Sequence, residues 1–442
     1  MNVQDVQRIV GEQSIEFFLC SFVEMNGAPK AKLVPATHLH SMAEDGGGFA
    51  GFAAGDMGQG PHSPDMAAIP DFSSLTVLPW RPSIAWVAGD VHVEGEPHAY
   101  CPRGILKQQL ARAQERGFTF KTGVEPEFFL LKSDGAGGFG PGDALDTLGK
   151  PCYDLRALHR NLDLMTTLVK HMQRLGWGPY ATDHEDANCQ FEINWDYAEA
   201  LATADRHTFF RWMVRTIAEE HGLTATFMPK PFSHLTGNGC HVHLSLWRGE
   251  RNAFLDKSDA NGLSQTAYHF LGGLKAHARA LAAITNPIVN SYKRLTRGTP
   301  RSGATWAPVY ISYGGSNRTQ MIRVPGPGRL EMRVMDGAAN PYLAMSALLA
   351  AGLDGIERKL PAGTRNDDNL YEMSPAELQA RGIDTLPQNL SEALEALEAD
   401  PVVRASLGEV YAPYYIEVKR DEWKRYHDNV SRWEVENYLG VY

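Results

Sequence analysis

The 442-residue chain has no CxxC pair, and its five cysteines (Cys20, Cys101, Cys152, Cys189 and Cys240) are odd in number and widely scattered. That excludes a disulfide framework and a zinc ribbon, and it fits a reducing compartment. Positive charge is also scarce. A net charge of −10 and a pI near 5.9 leave no basic surface for nucleic acid or an anionic membrane. The longest nearly apolar run, "LAMSALLAAGL" from 343 to 353, is too short to span a bilayer, and the N-terminus lacks a basic segment followed by an apolar one. A cytoplasmic protein with no membrane or nucleic-acid partner is expected. There is no internal repeat, no low-complexity tract and no GxxxxGK[ST] phosphate loop.

What remains is ordinary globular composition, 43% hydrophobic and 21% charged, over a length sufficient for two or three domains. The first hundred residues carry strand-like pieces, "EFFLCSFVEM" and "PKAKLVPA", joined at an "NGAP" turn. A Gly-rich stretch and the pieces "SLTVLPW" and "SIAWVAGDVHV" follow. After "CPRG" the period changes to that of helices, with long amphipathic segments expected at about 156–175, 203–221, 265–284 and 341–359. An α+β chain is expected, with a small β-rich domain over 1–104 and a second domain over 105–442. Asn340 and Pro341 read as cap and first-turn residue of the last of these helices. Ser374 and Glu377 have capping-box spacing, and "SDGAGGFGPGD" (133–143) reads as an exposed loop.

The chemistry lies in the strands between the helices. In "GVEPEFFLL" (123–131), residues two apart share a face, so Glu125 and Glu127 pair on one side while Val124, Phe128 and Leu130 point to the other. The same spacing sets His241 beside His243, Glu192 beside Asn194, and Glu331 beside Arg333. Taken singly, each pair describes a solvated strand face. Four together describe a sheet with helices on its apolar side and a polar cavity on the other.

Glu125, Glu127, Glu185, Glu192 and Glu331 cannot gather ionised in a confined site without cations, because like charges raise one another's pKa. Oxygen-rich ligation with one imidazole, from His241, suits Mg²⁺ or Mn²⁺ better than zinc. Two or three such ions call for a polyanionic substrate, and nucleotide phosphates are the obvious one. Arg294, Arg318, Arg323 and Arg333 cluster in sequence around Glu331 and offer bidentate donors to phosphate and carboxylate. A surface ion-pair lattice would use the same arginines but would not explain the histidines.

These residues carry a resemblance. "EPEFFL", "HEDANCQFEIN", "GNGCHVHLSL", "NSYKRL", "NRTQMIRVPG", "RLEMRVMDGAANPYL" and the closing "WEVENYLGVY" make the chain similar to the glutamine synthetase superfamily over nearly its whole length. The resemblance implies a β-grasp N-terminal domain and a catalytic domain shaped as an antiparallel half-barrel funnel. It also implies a dodecamer of two hexameric rings with sites between subunits. By the same resemblance Glu127, Glu185 and Glu192 hold one metal, and Glu125, His241 and Glu331 the other. His243 and Ser245 match nucleotide-contacting positions, and Arg318 and Arg323 match those that hold the transferring phosphate of ATP. Arg294, Arg333 and the backbone at Gly237 match those that hold glutamate.

Three departures from the family pattern bear on the amine. Thr236 stands in "TGNG" where the family has an asparagine that helps seat glutamate. The flap "TRGTPRSGATWAP" is longer than the family's "GxEAP" and has Trp306 in place of its glutamate. The "DGSS" latch is not recognisable, and Asp56 is only a loose substitute for its aspartate. Losing an acid and gaining an indole makes the amine site less suited to a small hydrated cation and more tolerant of a methyl group. The resemblance is therefore to the branch that ligates glutamate to methylamine through γ-glutamyl phosphate. Ammonia is the close alternative, since one methyl group is worth only about 1 to 3 kcal/mol of discrimination. Trp306 could equally be a buried anchor, and Tyr371, where some relatives carry an adenylylated tyrosine, reads as a packed loop residue. A metal-dependent hydrolase would have no use for four arginines, and a non-catalytic relative would be expected to have lost metal ligands.

Overall fold

The computed structural model describes residues 1–296 and 306–442, so most of the flap expectation, residues 297–305, lies outside the described residues. All five cysteines are free thiols. Among the described residues no helix is long and apolar enough to cross a membrane.

Two sheets form, each with its own core. The first runs in the order Pro29–Pro35, Phe17–Val23, Ile84–Val93, Met66–Pro70, Gly47–Phe49, with Phe17–Val23 parallel to Ile84–Val93. Val6, Phe18, Phe22, Met42, Val87 and Val91 are buried together beneath it. A helix over Val3–Gln13, capped by Asn2 with Asp5 returning the bond, was not foreseen. Its signal was the recurrence of Val3, Val6 and Val10 at helical spacing.

The second sheet runs in the order Pro179–His184, Gln190–Trp195, Thr119–Ser133, Cys240–Arg248, Leu330–Met332, Gln320–Arg323, Tyr310–Gly314. Every pair is antiparallel except the last, which is parallel with a register shift. The outer edge of that last strand is covered by the segment around Asp384, whose carbonyl accepts from Ile311 N at 2.8 Å. Val124, Phe128 and Leu130 turn into the main core with Phe209, Phe210 and Leu343 from the helices Ala200–Glu220 and Pro341–Glu357. Pro341–Glu357 is buried on nearly all sides, which explains its apolar composition. The Asn340 cap accepts from Tyr342 N, and the Ser374–Glu377 capping box is formed. The 133–143 loop is an exposed hairpin turn that ends in the short strand Phe139–Pro141.

Arg103, in the helix Pro102–Glu115, joins the two cores. Its buried guanidinium bonds Asp71 and Asp90 of the first sheet's segments at 2.9 and 2.8 Å, and both oxygens of Asp205 at 3.0 Å.

Two of the expected helices are each broken once. The first divides at Asn161 into Leu155–Arg160 and Leu162–Arg174. The 265–284 segment divides at His277 into Gln265–Ala276 and Ala278–Thr285. There the backbone bends so that the imidazole meets Asp400 at 2.6 Å and Asp354 at 2.9 Å. Burial pulls the His277 pKa down, but the hydrogen bonds and charges of Asp400 and Asp354 outweigh it and leave it above the ordinary histidine value. A raised folded pKa means the imidazolium's contribution is complete below about pH 6.5 and is lost as pH rises through the higher folded value. In His277→Asn the melting temperature should fall most near about pH 6 and converge on wild type toward about pH 9. A pH-independent gap in calorimetry would contradict the charged clasp.

Candidate active site

Register makes the site. Asp183 lies opposite Glu192, and Glu192 opposite Glu127. Glu125 lies opposite His241, and His243 opposite Glu331, which faces Arg323. Strand alternation aims these side chains at one side, and the polar rows of six strands close on a cavity of about 420 Å³. His241 Nδ1 is 3.3 Å from Glu125 Oε2 and 3.9 Å from Glu331 Oε1, and its Nε2 is 3.9 Å from Glu127 Oε1. Glu127 accepts from Gln190 Nε2 at 2.9 Å and from Gly239 N at 2.8 Å. Gly239 has to be glycine, since a β-carbon there would lie 2.8 Å from both Arg294 Nη2 and Glu127 Oε1.

The charges do not balance by themselves. Burial first, then the neighbouring carboxylates, push Glu185 and Glu192 well above the usual carboxylate range, and the same causes lift Asp183 to about 6. Glu125 goes the other way. Burial would raise it, but hydrogen bonds from His241 and His243 hold it below its ordinary value. Burial lowers the His241 pKa, so a neutral ring donates to Glu125 and keeps its other nitrogen as a lone pair. Three overlapping donor groups have ligand atoms within 4.8 Å of one another: Glu125–His241–Glu331, Glu127–Glu192–His241 and Asp183–Glu185–Glu192. Crowded oxygen donors, a neutral imidazole and carboxylates destabilised by one another fit hard divalent cations.

The arginines differ in what they already hold. Glu331 is gripped by Arg323 Nη1 at 2.7 Å and Arg333 Nη1 at 2.8 Å. Arg294 donates to the carbonyls of Val334 and Arg333. Arg318 pairs with no carboxylate among the described residues, and its guanidinium lies 5.8 Å from the Trp306 ring. All four line the cavity, as do Gly237, Thr236 and Trp306. The indole N–H of Trp306 donates to Asp186 at 2.5 Å, and Thr236 Oγ1 reaches the same oxygen at 3.4 Å. Just beyond, the Tyr371 hydroxyl donates to the Ala307 carbonyl at 2.9 Å.

Three expected residues lie off the cavity within one chain. His243 sits behind Glu125, at 2.8 Å, and Ser245 accepts from Trp247 Nε1 at 3.0 Å. Asp56 accepts from Asn26, in the turn between the strands Phe17–Val23 and Pro29–Pro35. Other residues were missed. Asp183 carried the same two-residue signal as the pairs that were read, since it precedes Glu185 by two. Asp146 had no local signal at all. Its carboxylate takes bonds from His184 Nε2 at 2.7 Å, Asn188 Nδ2 at 3.0 Å and Cys189 N at 2.5 Å, and so fixes the hairpin that carries Glu185 and Glu192.

Residues 99–438 match the glutamine synthetase catalytic-domain profile. A glutamine synthetase of Rhizobium leguminosarum bv. phaseoli is 46% identical over 439 residues, 99% of each chain. A glutamate–methylamine ligase of Methyloversatilis universalis is 48% identical over 442 residues, again 99% of each chain. Among solved structures, a GmaS–ADP complex superposes with a TM-score of 0.93 at 51% identity, covering 99% of this chain and 100% of that one. An apo GmaS gives 0.91 at 50%, covering 99% of each. The chain belongs to the glutamine synthetase family and has its fold, a mixed α/β molecule with a barrel-like sheet flanked by helices.

If the acidic cluster holds cations, a chelator should abolish ATP-dependent phosphate release, and Mg²⁺ or Mn²⁺ should restore it. Glu331→Ala should lower the rate by about 10²-fold or more with every amine. Full activity of that variant in a phosphate-release assay would remove Glu331 from the site.

Proposed function

We propose that the chain is an ATP-dependent carbon–nitrogen ligase that joins the γ-carboxylate of L-glutamate to methylamine, giving γ-glutamylmethylamide, ADP and phosphate. The observation that carries this reading is the composition of the cavity: six carboxylates and four arginines in one lining, and an indole at Trp306 where a small cation alone would need only charge. The 48% identical methylamine ligase and the two GmaS structures support it.

In this reading a γ-carboxylate oxygen of glutamate attacks the γ-phosphorus of ATP, the bond to the β-γ bridging oxygen breaks, and ADP leaves. The amine nitrogen, having lost a proton, then attacks the γ-carbonyl carbon. The carbon–oxygen bond to phosphate breaks and a second proton leaves the nitrogen. Arg318, which pairs with no carboxylate among the described residues, and Arg323 would steady the phosphoryl group, and Arg294 and Arg333 would orient glutamate with Gly237 and Thr236. His243 and Ser245 would contact the nucleotide. Glu125, His241 and Glu331, and Glu127, Glu185 and Glu192 with Asp183, would hold two or three divalent cations, which when bound neutralise nucleotide phosphate charge. Ammonia is the second reading, favoured by the 46% identical glutamine synthetase. Phosphate release with ATP, Mg²⁺ and glutamate should show a higher kcat/KM for methylamine than for ammonia, and a higher value for ammonia would transfer the assignment.

The same reading divides the chain into an N-terminal domain over 1–104 and a catalytic domain over 105–442, in rings that stack as a dodecamer. Asp56 would then serve a neighbouring subunit's site. The C-terminal segment supports assembly with further copies: Trp433, Leu439, Val441 and Tyr442 are all exposed on the helix Arg432–Tyr438 and the tail after it. Deleting residues 431–442 should lower the mass measured by light scattering, and an unchanged mass would exclude that segment from the assembly.

A further inference from the structure

The carboxylates and arginines of the cavity account for charge, not for size. Its lining also includes less polar side chains. Cys152, Tyr153, Trp306 and Ala307 line the cavity with the charged groups. The Cys152 thiol lies within reach of the charges of Glu185, Asp186 and Asp183, and the Tyr153 ring within reach of those of Glu185, Asp183 and Arg318. Trp306 touches the same two neighbours, bonding Asp186 and facing Arg318. Sulfur, phenol ring and indole therefore share the part of the lining that neighbours Glu185, Asp186 and Arg318.

Two details show that this wall is held in place. Asp186 works in both directions: its backbone N–H donates to Glu185 Oε2 at 3.1 Å, while its side chain takes the Trp306 indole. Tyr153 holds φ at 63°, a conformation that a side chain disfavours and glycine adopts freely. Its N–H is bonded to the His184 carbonyl at 2.9 Å, so the strained residue is tied to the strand that carries Asp183. Strain kept at a residue that lines a cavity points to a use for its ring.

We propose that Cys152, Tyr153 and Trp306 form the wall that receives the alkyl group of the amine, and that Asp186 is the positioning residue that sets Trp306 at the right distance from Glu185. The assignment rests on the ligase reading above and adds to it the residues that set amine size. An ammonium group sits toward Asp183 and Glu185 while its methyl group faces sulfur and rings, and a longer chain meets the indole.

The test measures kcat/KM for ammonia, methylamine and ethylamine, and KM for ATP and glutamate, in the full-length enzyme. Cys152→Leu, which extends the side chain into the cavity, should lose ethylamine first and lower methylamine about tenfold more than ammonia. Asp186→Ala and Trp306→Phe, which each remove the indole tether, should both raise the methylamine KM and lower the methylamine-to-ammonia ratio at least about fivefold, with KM for ATP and glutamate unchanged. Asp186→Asn keeps an acceptor oxygen and should stay within about twofold of wild type. Should Asp186→Ala fail to fold, Cys152→Leu and Trp306→Phe decide. Ratios among the three amines that stay fixed in both of those variants overturn the wall, whatever the absolute rates. Wild type preferring ammonia would instead overturn the methylamine reading, while the size dependence of the variants would still judge the wall.

Discussion

Six carboxylates, those of Glu125, Glu127, Asp183, Glu185, Glu192 and Glu331, face one cavity, and their mutual repulsion is the constraint around which the molecule is built. Nothing local makes them converge. They converge because antiparallel register sets each opposite its neighbour on adjoining strands, and because each strand's other face is anchored by aromatic and aliphatic side chains in a close-packed core. Folding energy drawn from that core holds the acids together, and the site is left with a strong demand for positive charge. Arg323 and Arg333 meet part of that demand from within the chain by pairing with Glu331, while His241 and His243 offer ring nitrogens to Glu125. The rest is available to cations.

The same logic explains the supports around the hairpin from Pro179 to Trp195. Asp146 ties down the turn from behind, Gln190 steadies Glu127, and Asp186 joins Glu185 to Trp306. Two of these contacts, on Glu127 and Glu185, hold carboxylates that electrostatics alone would push apart. Gly239 serves the same end by leaving no side chain between Arg294 and Glu127.

Much of this was legible in the letters. The period-two pairs at 125/127, 192/194, 241/243 and 331/333 identified the polar faces, because alternation is a property of each strand alone. Asp183 was equally legible and was overlooked. Asp146, Cys152 and Tyr153 were not, since their roles depend on which segments fold back on the hairpin, and no local pattern encodes that. The break at His277 was hidden for a related reason: helical periodicity runs straight through it, and the bend is imposed by Asp354 and Asp400 from distant helices.

Arg103 has a mechanical corollary. Three carboxylates from three separate stretches of chain share its one guanidinium, so sliding either sheet past the other would have to break either its bonds to Asp71 and Asp90 or its paired bonds to Asp205. The joint is a buried charge shared between the two sheets, and shearing it leaves at least one charged group without its partner. Whatever the outer loops of the small sheet touch, the base from which they project is tied to the large sheet through that one side chain.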